Sequence, residues 1–394
     1  MFSLVTASII VGCAAFLVKT SDINNKPDTN IKDLNDIFKE KKVKNFKDQY
    51  ACISSRTVQK TFTDYEVSIP LGKTIKDIED CIPAIETHFK NNASVEKIKK
   101  SIVIRLYTTD LADQYYFKPI MVNKEKGLQI FLGNSREGEI IENLSVNPHL
   151  SVVGSTGAGK SVFVNCILCN LLETYTADEL GLILFDLKGN ELNEYKDLEH
   201  TVYHTIKVKE TIQYFSELKN EMERRYDLLG SYRDINSYNK ANPDNKMKYL
   251  FIVIEECFSL LQYKNDYNLL GDIMSKARAA GMHFLLTTQR PAADIIPKVA
   301  YTHVTTRVGL KTNSLQESKN AIEIPGLERI NEPGVGIMNV SGKYIYFKSS
   351  YISEQKIEKI TKKYRKKAGS IVIDPVKEES KSSKRMMFDL EGDL

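Results

Sequence analysis

Residues 154–161 read GSTGAGKS, a complete G-x-x-x-x-G-K-[ST] pattern set between an apolar strand, LSVVG, and a helix, KSVFVNCILCNLLETY. A chance match in a chain of this composition is on the order of one per cent, and the strand and helix on either side lower it further. The pattern constrains the fold because a loop that wraps phosphates needs unusual backbone angles and close approach of its amides. Gly154, Gly157 and Gly159 supply both, and the helix that follows turns its positive end toward the anion. Ser155, Thr156, Ala158 and Val162 complete the expected nucleotide-binding stretch. Lys160 is placed to reach the β and γ phosphates of ATP, and Ser161 to offer a hydroxyl to Mg²⁺.

Such a loop needs a neighbouring strand that ends in carboxylates, and YLFIVIEE provides one, finishing in Glu255 and Glu256. Adjacent strand residues point to opposite faces, so the two acids divide the work: Glu255 toward Mg²⁺, Glu256 as acceptor of a proton from the attacking water. A third apolar strand, HFLLTTQ, ends at Gln289, which is placed to sense the γ phosphate or orient that water. These strands alternate with helical stretches. The fold class expected is therefore α/β, a P-loop core with a mostly parallel sheet covered on both faces, over residues 128–367. Before it, YEVSIPL and SIVIRLY alternate as strands and IKDIEDCIPAIETHF reads as an amphipathic helix, a small α/β module over 50–122. Residues 19–49 read as a solvated linker or a loosely helical stalk, and 368–394 as a polar, disordered tail.

Composition limits the rest. Hydrophobic residues at 42% and charged residues at 27% are those of a water-soluble globular protein rather than a multi-spanning or fibrous one. The balance of 55 Lys plus Arg against 51 Asp plus Glu, a net +4, is too even to mark a nucleic-acid binder by bulk charge. The six cysteines lie in apolar contexts; Cys166 and Cys169 form a C-x-x-C with no second pair to complete a metal site, and read as core. Residues 1–18, MFSLVTASIIVGCAAFLV, carry no charge before Lys19 and predict a single-pass membrane anchor, with a signal or lipoprotein sequence and a buried helix or truncated longer anchor as the alternatives. ATP is cytoplasmic, which puts the ATP-using part inside the cell.

Beyond these single motifs, the chain resembles the FtsK/SpoIIIE group of DNA-translocating ATPases over roughly residues 60–365. The likeness runs through ordered blocks: IFLGNSREGEII, NPHLSVVGSTGAGKSVFVN, LILFDLKGNELNEY, EMERRYDLL, YLFIVIEE, KARAAGMHFLLTTQRP, THVTTRVGLK and EPGVGIMN. The resemblance implies a RecA-like motor that assembles as a ring, usually a hexamer, with ATP at the subunit junctions and double-stranded DNA in the channel. By the same resemblance GSTGAGKS is the Walker A motif and Glu255 with Glu256 the Walker B pair, whose first position is more often Asp in the family. Asp186 and Lys188 fall in a matching block as either a structural pair or a catalytic one. Arg278 and Arg307 fall in blocks that make them candidates for a charge supplied in trans. The chain shows no four-span membrane domain and no winged-helix reader after the motor. It is thus most similar to the coupling or transfer ATPases of Gram-positive conjugative elements, which work beside relaxase and transfer machinery at the membrane. A chromosome-segregation pump and the ATPase motor of a protein-export system are the alternatives. The basic stretch EQKIEKITKKYRKK reads as a solvated helix face more readily than as a DNA contact.

Overall fold

A computed structural model describes residues 29–290 and 298–366. The expected anchor at 1–18 and the tail at 368–394 lie outside the described residues. Among the described residues, no helix is long and apolar enough to cross a membrane. The chain divides into two compact units at Thr108.

The first unit opens with helix α1 (Thr29–Glu40), continues through strands β1 (Cys52–Val58) and β2 (Phe62–Ser68), helices α2 (Ile75–Glu79) and α3 (Ile82–Phe89), and closes with β3 (Ala93–Ile98) and β4 (Ser101–Tyr107). The strands form an antiparallel sheet in the order β1-β2-β4-β3. Strand β2 alternates as its sequence dictates: Thr63, Tyr65 and Val67 are buried while Asp64 and Glu66 face outward. Two expectations need correction here. The segment read as a solvated linker or loosely helical stalk contains α1, which is not solvated all round: its Ile31, Leu34, Ile37 and Phe38 recur at helical spacing and pack into the core of this unit. The single helix expected over 75–89 is two helices, because Pro83 sits at the start of α3, where a missing N–H costs nothing and a continuous helix would be broken.

The second unit starts with a short strand, β5 (Tyr115–Tyr116), then β6 (Gln129–Ser135), β7 (Gly138–Asn143) and β8 (His149–Val153), followed by α4 (Lys160–Thr174). Next come β9 (Leu180–Asp186), β10 (Thr201–Thr205), α5 (Val208–Leu229), α6 (Ile235–Ala241), β11 (Tyr249–Glu255), α7 (Lys264–Ala277) and β12 (Met282–Thr288). The rest is α8 (Lys298–His303), β13 (Val304–Leu310), α9 (Leu315–Ile322), β14 (Val335–Val340), β15 (Lys343–Lys348), β16 (Ser350–Tyr351) and α10 (Glu354–Thr361). Residues 109–122, assigned from sequence to the small module, belong to this larger unit, where β5 pairs in parallel with β16.

A ten-stranded sheet in the order β10-β9-β11-β12-β8-β13-β14-β15-β6-β7 organises the unit. From β10 to β13 every pairing is parallel; from β13 to β7 every pairing is antiparallel. The sheet is thus mixed, not mostly parallel: β6–β7 and β14–β15 are hairpins whose tight turns permit only antiparallel neighbours, and they extend the parallel half through the antiparallel pairings β13–β14 and β15–β6. Every residue of β8, β9, β11 and β12 is buried, which is why these segments read as unbroken apolar runs. Alternate residues feed two cores: Leu182, Leu184, Phe251 and Val253 pack with Phe163, Ile167 and Leu171 of α4, while Ile183, Phe185, Ile252 and Ile254 pack with Phe215 and Leu218 of α5 and Ile273 of α7. Cys166 and Cys169 are buried on α4, and burial pushes the Cys169 thiol up to about 11, as expected of packing cysteines. The central strand β8 hands the chain to α4 and then to β9, passing over β12 and β11, and the crevice at this switch lies at the carboxyl ends of the strands.

Candidate functional site: a phosphate loop facing two acids

The loop from Gly154 to Gly159 is fixed from three sides. Its first amide donates to the Thr288 carbonyl (3.3 Å), Ser155 N–H and Oγ both donate to the Lys311 carbonyl (2.9 and 3.0 Å), and Gly334 N–H donates to the Ala158 carbonyl (2.9 Å). Two glycines are obligatory. Gly157 and Gly159 hold φ of 79° and 94°, and a Cβ at Gly159 would sit 2.8 Å from the Gly334 nitrogen. The loop then delivers Lys160 and Ser161 as the first turn of α4. Around them lies a cavity of about 690 Å³ lined by Ser155, Thr156, Gly157, Gly159, Lys160, Ser161 and Val162. Its wall also includes Lys188, Gln289, Glu332 and Gly334, and at the far side Gln114 and Tyr351.

Both acids stand at the carboxyl end of β11, where parallel pairing with β12 sets them beside Thr287 and Thr288. Glu255 points to the α4 face. Its side chain is 1% exposed, and its Oε1 is in direct contact with the ammonium of Lys160, itself 4% exposed. The Thr287 hydroxyl donates to Glu255 Oε2 (2.5 Å). Burial pushes the Glu255 carboxyl above its ordinary range, and Lys160 and Thr287 pull it back. Glu256 leaves the strand with φ 61°, a left-handed conformation rare for a non-glycine residue. Its carboxylate accepts from the Thr288 hydroxyl (2.9 Å) and from the Gln289 N–H (3.2 Å). Gln289 in turn accepts through Oε1 from the Thr156 hydroxyl of the loop (3.1 Å). Lys160, Ser161, Glu255, Glu256 and Gln289 therefore converge as the sequence spacing requires.

The donor set suits a nucleoside triphosphate with a hard divalent cation. A lysine ammonium and a serine hydroxyl at a helix start line the cavity together with Gly157 and Gly159, and the buried Glu255 carboxylate stands against the lysine. Asp186 takes the structural of its two expected roles: fully buried, it accepts from the amides of Gly189, Glu191 and Leu192 and shapes the loop after β9. Lys188 pairs with Glu191, not with Asp186. Neither trans-arginine candidate lines this cavity. Arg278 caps the end of α7 ahead of β12, at the opposite end of the parallel strands from the loop. Arg307, on β13, pairs with Glu323 (2.6 Å) and stacks 4.0 Å from the Tyr301 ring centroid. The basic stretch after 354 buries Ile357 and Ile360, while Lys362, Lys363 and Arg365 pair with Glu358, Glu173 and Glu194, in keeping with a solvated face. Sequence reasoning gave no role to Thr287, Thr288, Gln114, Glu332 or Tyr351; only the hydroxyls, at the end of a buried apolar strand, carried a local signal.

Comparison with known proteins agrees with this geometry. Residues 120–293 match the FtsK/SpoIIIE family model. DNA translocase FtsK of Clostridium tetani is 32% identical over 267 residues, 65% of this chain and 35% of that protein. DNA translocase FtsK of Borreliella burgdorferi is 33% identical over 267 residues, 63% of this chain and 34% of that protein. The chain thus spans about a third of the length of these curated relatives. Among solved structures, the pCW3 conjugation coupling protein TcpA in a monomer form with ATPγS superposes with a TM-score of 0.59 at 20% identity, covering 85% of this chain and 99% of that one. The cytoplasmic domain of the type VII secretion ATPase EccC from Thermomonospora curvata gives 0.56 at 23% identity, covering 62% of this chain and 32% of that one. These two likenesses establish a shared fold. The phosphate loop, the paired acids and the third-strand glutamine all lie inside the matched segment, and it is this segment, residues 120–293, that belongs to the FtsK/SpoIIIE family of ATPases.

Proposed function

We propose that the chain is an ATP-driven motor that moves DNA, and that it does so during conjugative transfer. The observation that carries this reading is the closed chain of contacts from the phosphate loop through Lys160 and Gln289 to both acids of β11. A site that only gripped nucleotide has no need of a second carboxylate reached through the third strand.

In the proposed cycle the triphosphate enters along the loop, and the ammonium of Lys160 exchanges Glu255 for the β and γ phosphates. Ser161 and Glu255 would hold Mg²⁺, which supplies Lewis-acid neutralisation of the phosphate charge when bound. Glu256 accepts the proton of the attacking water, and Gln289, already bonded to Thr156, orients that water and registers loss of the γ phosphate. A positive charge reaching the site from a neighbouring copy in a ring would come from Arg278 or Arg307, since neither lines the cavity of its own chain. For Arg307 this means giving up Glu323. DNA would be gripped through its phosphates, which makes the grip tolerant of sequence and sensitive to salt.

The names borne by the relatives support DNA as cargo, and the overlap with TcpA along nearly the whole of that chain supports the conjugative setting. Anchoring through residues 1–18 would hold the motor at the inner membrane face, beside relaxase and transfer proteins. ATP turnover of the purified chain, with and without linear duplex DNA, tests the reading. Stimulation by duplex is expected, with Lys160→Ala abolishing turnover and Glu256→Gln binding ATP without cleaving it. Stimulation by a secreted peptide and not by DNA would assign the motor to protein export, and undiminished turnover in either variant would remove the site assignment.

A further inference from the structure

The hydroxyl of Thr287 is used to capacity. It donates to Glu255 Oε2 (2.5 Å), accepts from the Glu256 N–H (3.2 Å), and lies 3.4 Å from the Lys160 ammonium, so its one proton and both lone pairs meet the loop lysine, the first acid and the backbone of the second. Thr287 is fully buried, and so is Glu255. A glutamate has one more rotatable bond than an aspartate, and at the end of a strand that freedom would let its carboxylate wander once Lys160 leaves for a phosphate. Lys160 and Thr287 hold opposite oxygens of that carboxylate. When the lysine turns away, Oε1 is released and Oε2 stays fastened. The same hydroxyl fastens the amide of Glu256 where its φ of 61° would otherwise be unfavourable.

The geometry points to Thr287 as a positioning residue for the divalent cation that accompanies the nucleotide: it fixes Glu255 by one oxygen so that the other faces the cation. This rests on the nucleotide site of the proposed function. It assigns Thr287 no contact with substrate.

The test is binding of a fluorescent ATP analogue to the full chain, titrated with and without Mg²⁺, so that turnover is not the readout. Unmodified protein is expected to bind more tightly with Mg²⁺. Thr287→Val keeps the shape and removes the hydroxyl; it should leave Mg²⁺-free affinity within about twofold while reducing the Mg²⁺-dependent gain by about tenfold, the scale of one hydrogen bond to a buried charge. Thr287→Ser restores the hydroxyl and should restore the gain. In a Glu255→Asp background the shorter carboxylate falls back from the hydroxyl, and Thr287→Val should then change the gain by less than about twofold. A folded Thr287→Val protein with the full Mg²⁺ gain overturns the inference. So does a loss that Thr287→Ser does not repair, or an equal loss in the Glu255→Asp background. Thr287→Ala, read the same way, decides if the valine variant does not fold. Absence of nucleotide binding in the unmodified protein would sink the proposed function instead, which keeps the two failures apart.

Discussion

Gly159 shows how narrowly single residues are specified at the phosphate loop. Its φ of 94° lies where side chains are strained, and its Cα–H faces the Pro333–Gly334 turn so closely that a Cβ would stand 2.8 Å from a backbone nitrogen. Nothing flexible can move aside, because Gly334 N–H is also the donor to Ala158. Gly159→Ala should therefore weaken binding of a fluorescent ATP analogue by more than about tenfold, whereas Gly138→Ala, also strained at φ 124° but in open space at the β6–β7 turn and outside the loop, should leave that affinity unchanged whatever it costs in stability. The site was legible at this scale because its residues are consecutive and chemically unusual: glycines, a lysine and a serine between an apolar strand and helix, and two acids closing an apolar strand. Thr287 was not legible in the same way. Its role exists only because parallel pairing sets β12 against β11, and a threonine near the end of a strand is otherwise unremarkable. Arg307 illustrates the converse. Its block marked it as a catalytic candidate, and its own chain occupies it with Glu323 and Tyr301.

Among whole elements, legibility followed burial. Strands β8, β9, β11 and β12 are covered on both faces and announce themselves as apolar runs. Of the antiparallel strands beyond β13, β15 and β7 are largely exposed and polar, while β14 and β6 are mostly buried, so no shared local pattern marks the four as the continuation of the same sheet. The packing of helix α1 was not legible, beyond a loosely helical stalk, because its polar face, rich in Asn, Asp and Lys, outnumbers a stripe of few apolar residues. That stripe nevertheless supplies Leu34, Ile37 and Phe38 to the core of the first unit. Phe38 is fully buried, so Phe38→Ala should destabilise the first unit by about 3–5 kcal/mol in denaturant unfolding. Phe46, a few residues on and 81% exposed, is the control: its alanine variant should stay within about 0.5 kcal/mol of the parent. Equal effects of the two would mean that α1 is not docked in this core.

Across the larger unit as a whole, stability should depend on pH through histidines far from the phosphate loop. His149 and His283 sit at the starts of β8 and β12, both fully buried. Burial, and for His149 the neighbouring His283, hold their pKa values down to about 3 and about 4. Their hydrogen bonds suit neutral rings: His149 bonds the Met274 carbonyl through Nε2 and accepts from the Phe284 N–H through Nδ1, while His283 bonds the Pro148 carbonyl through Nδ1. The unfolded chain takes up protons at these sites below about pH 6.5 and the native unit does not, so stability is complete above that pH and is lost as pH falls toward 4. The slope is about 1.4 kcal/mol per pH unit for each ring, or roughly twice that for the pair while both native rings stay neutral. His200 and His204, also depressed by burial, act in the same direction, whereas Glu142 and Glu255, raised by burial, act in the opposite one. Removal of one ring separates these contributions. His283→Phe should flatten the fall in unfolding free energy between pH 6 and pH 5 by about 1.4 kcal/mol, whatever the substitution costs at pH 8. Denaturant titrations at the three pH values measure it, and an unchanged slope in the variant would mean that His283 is protonated, or open to water, in the native protein.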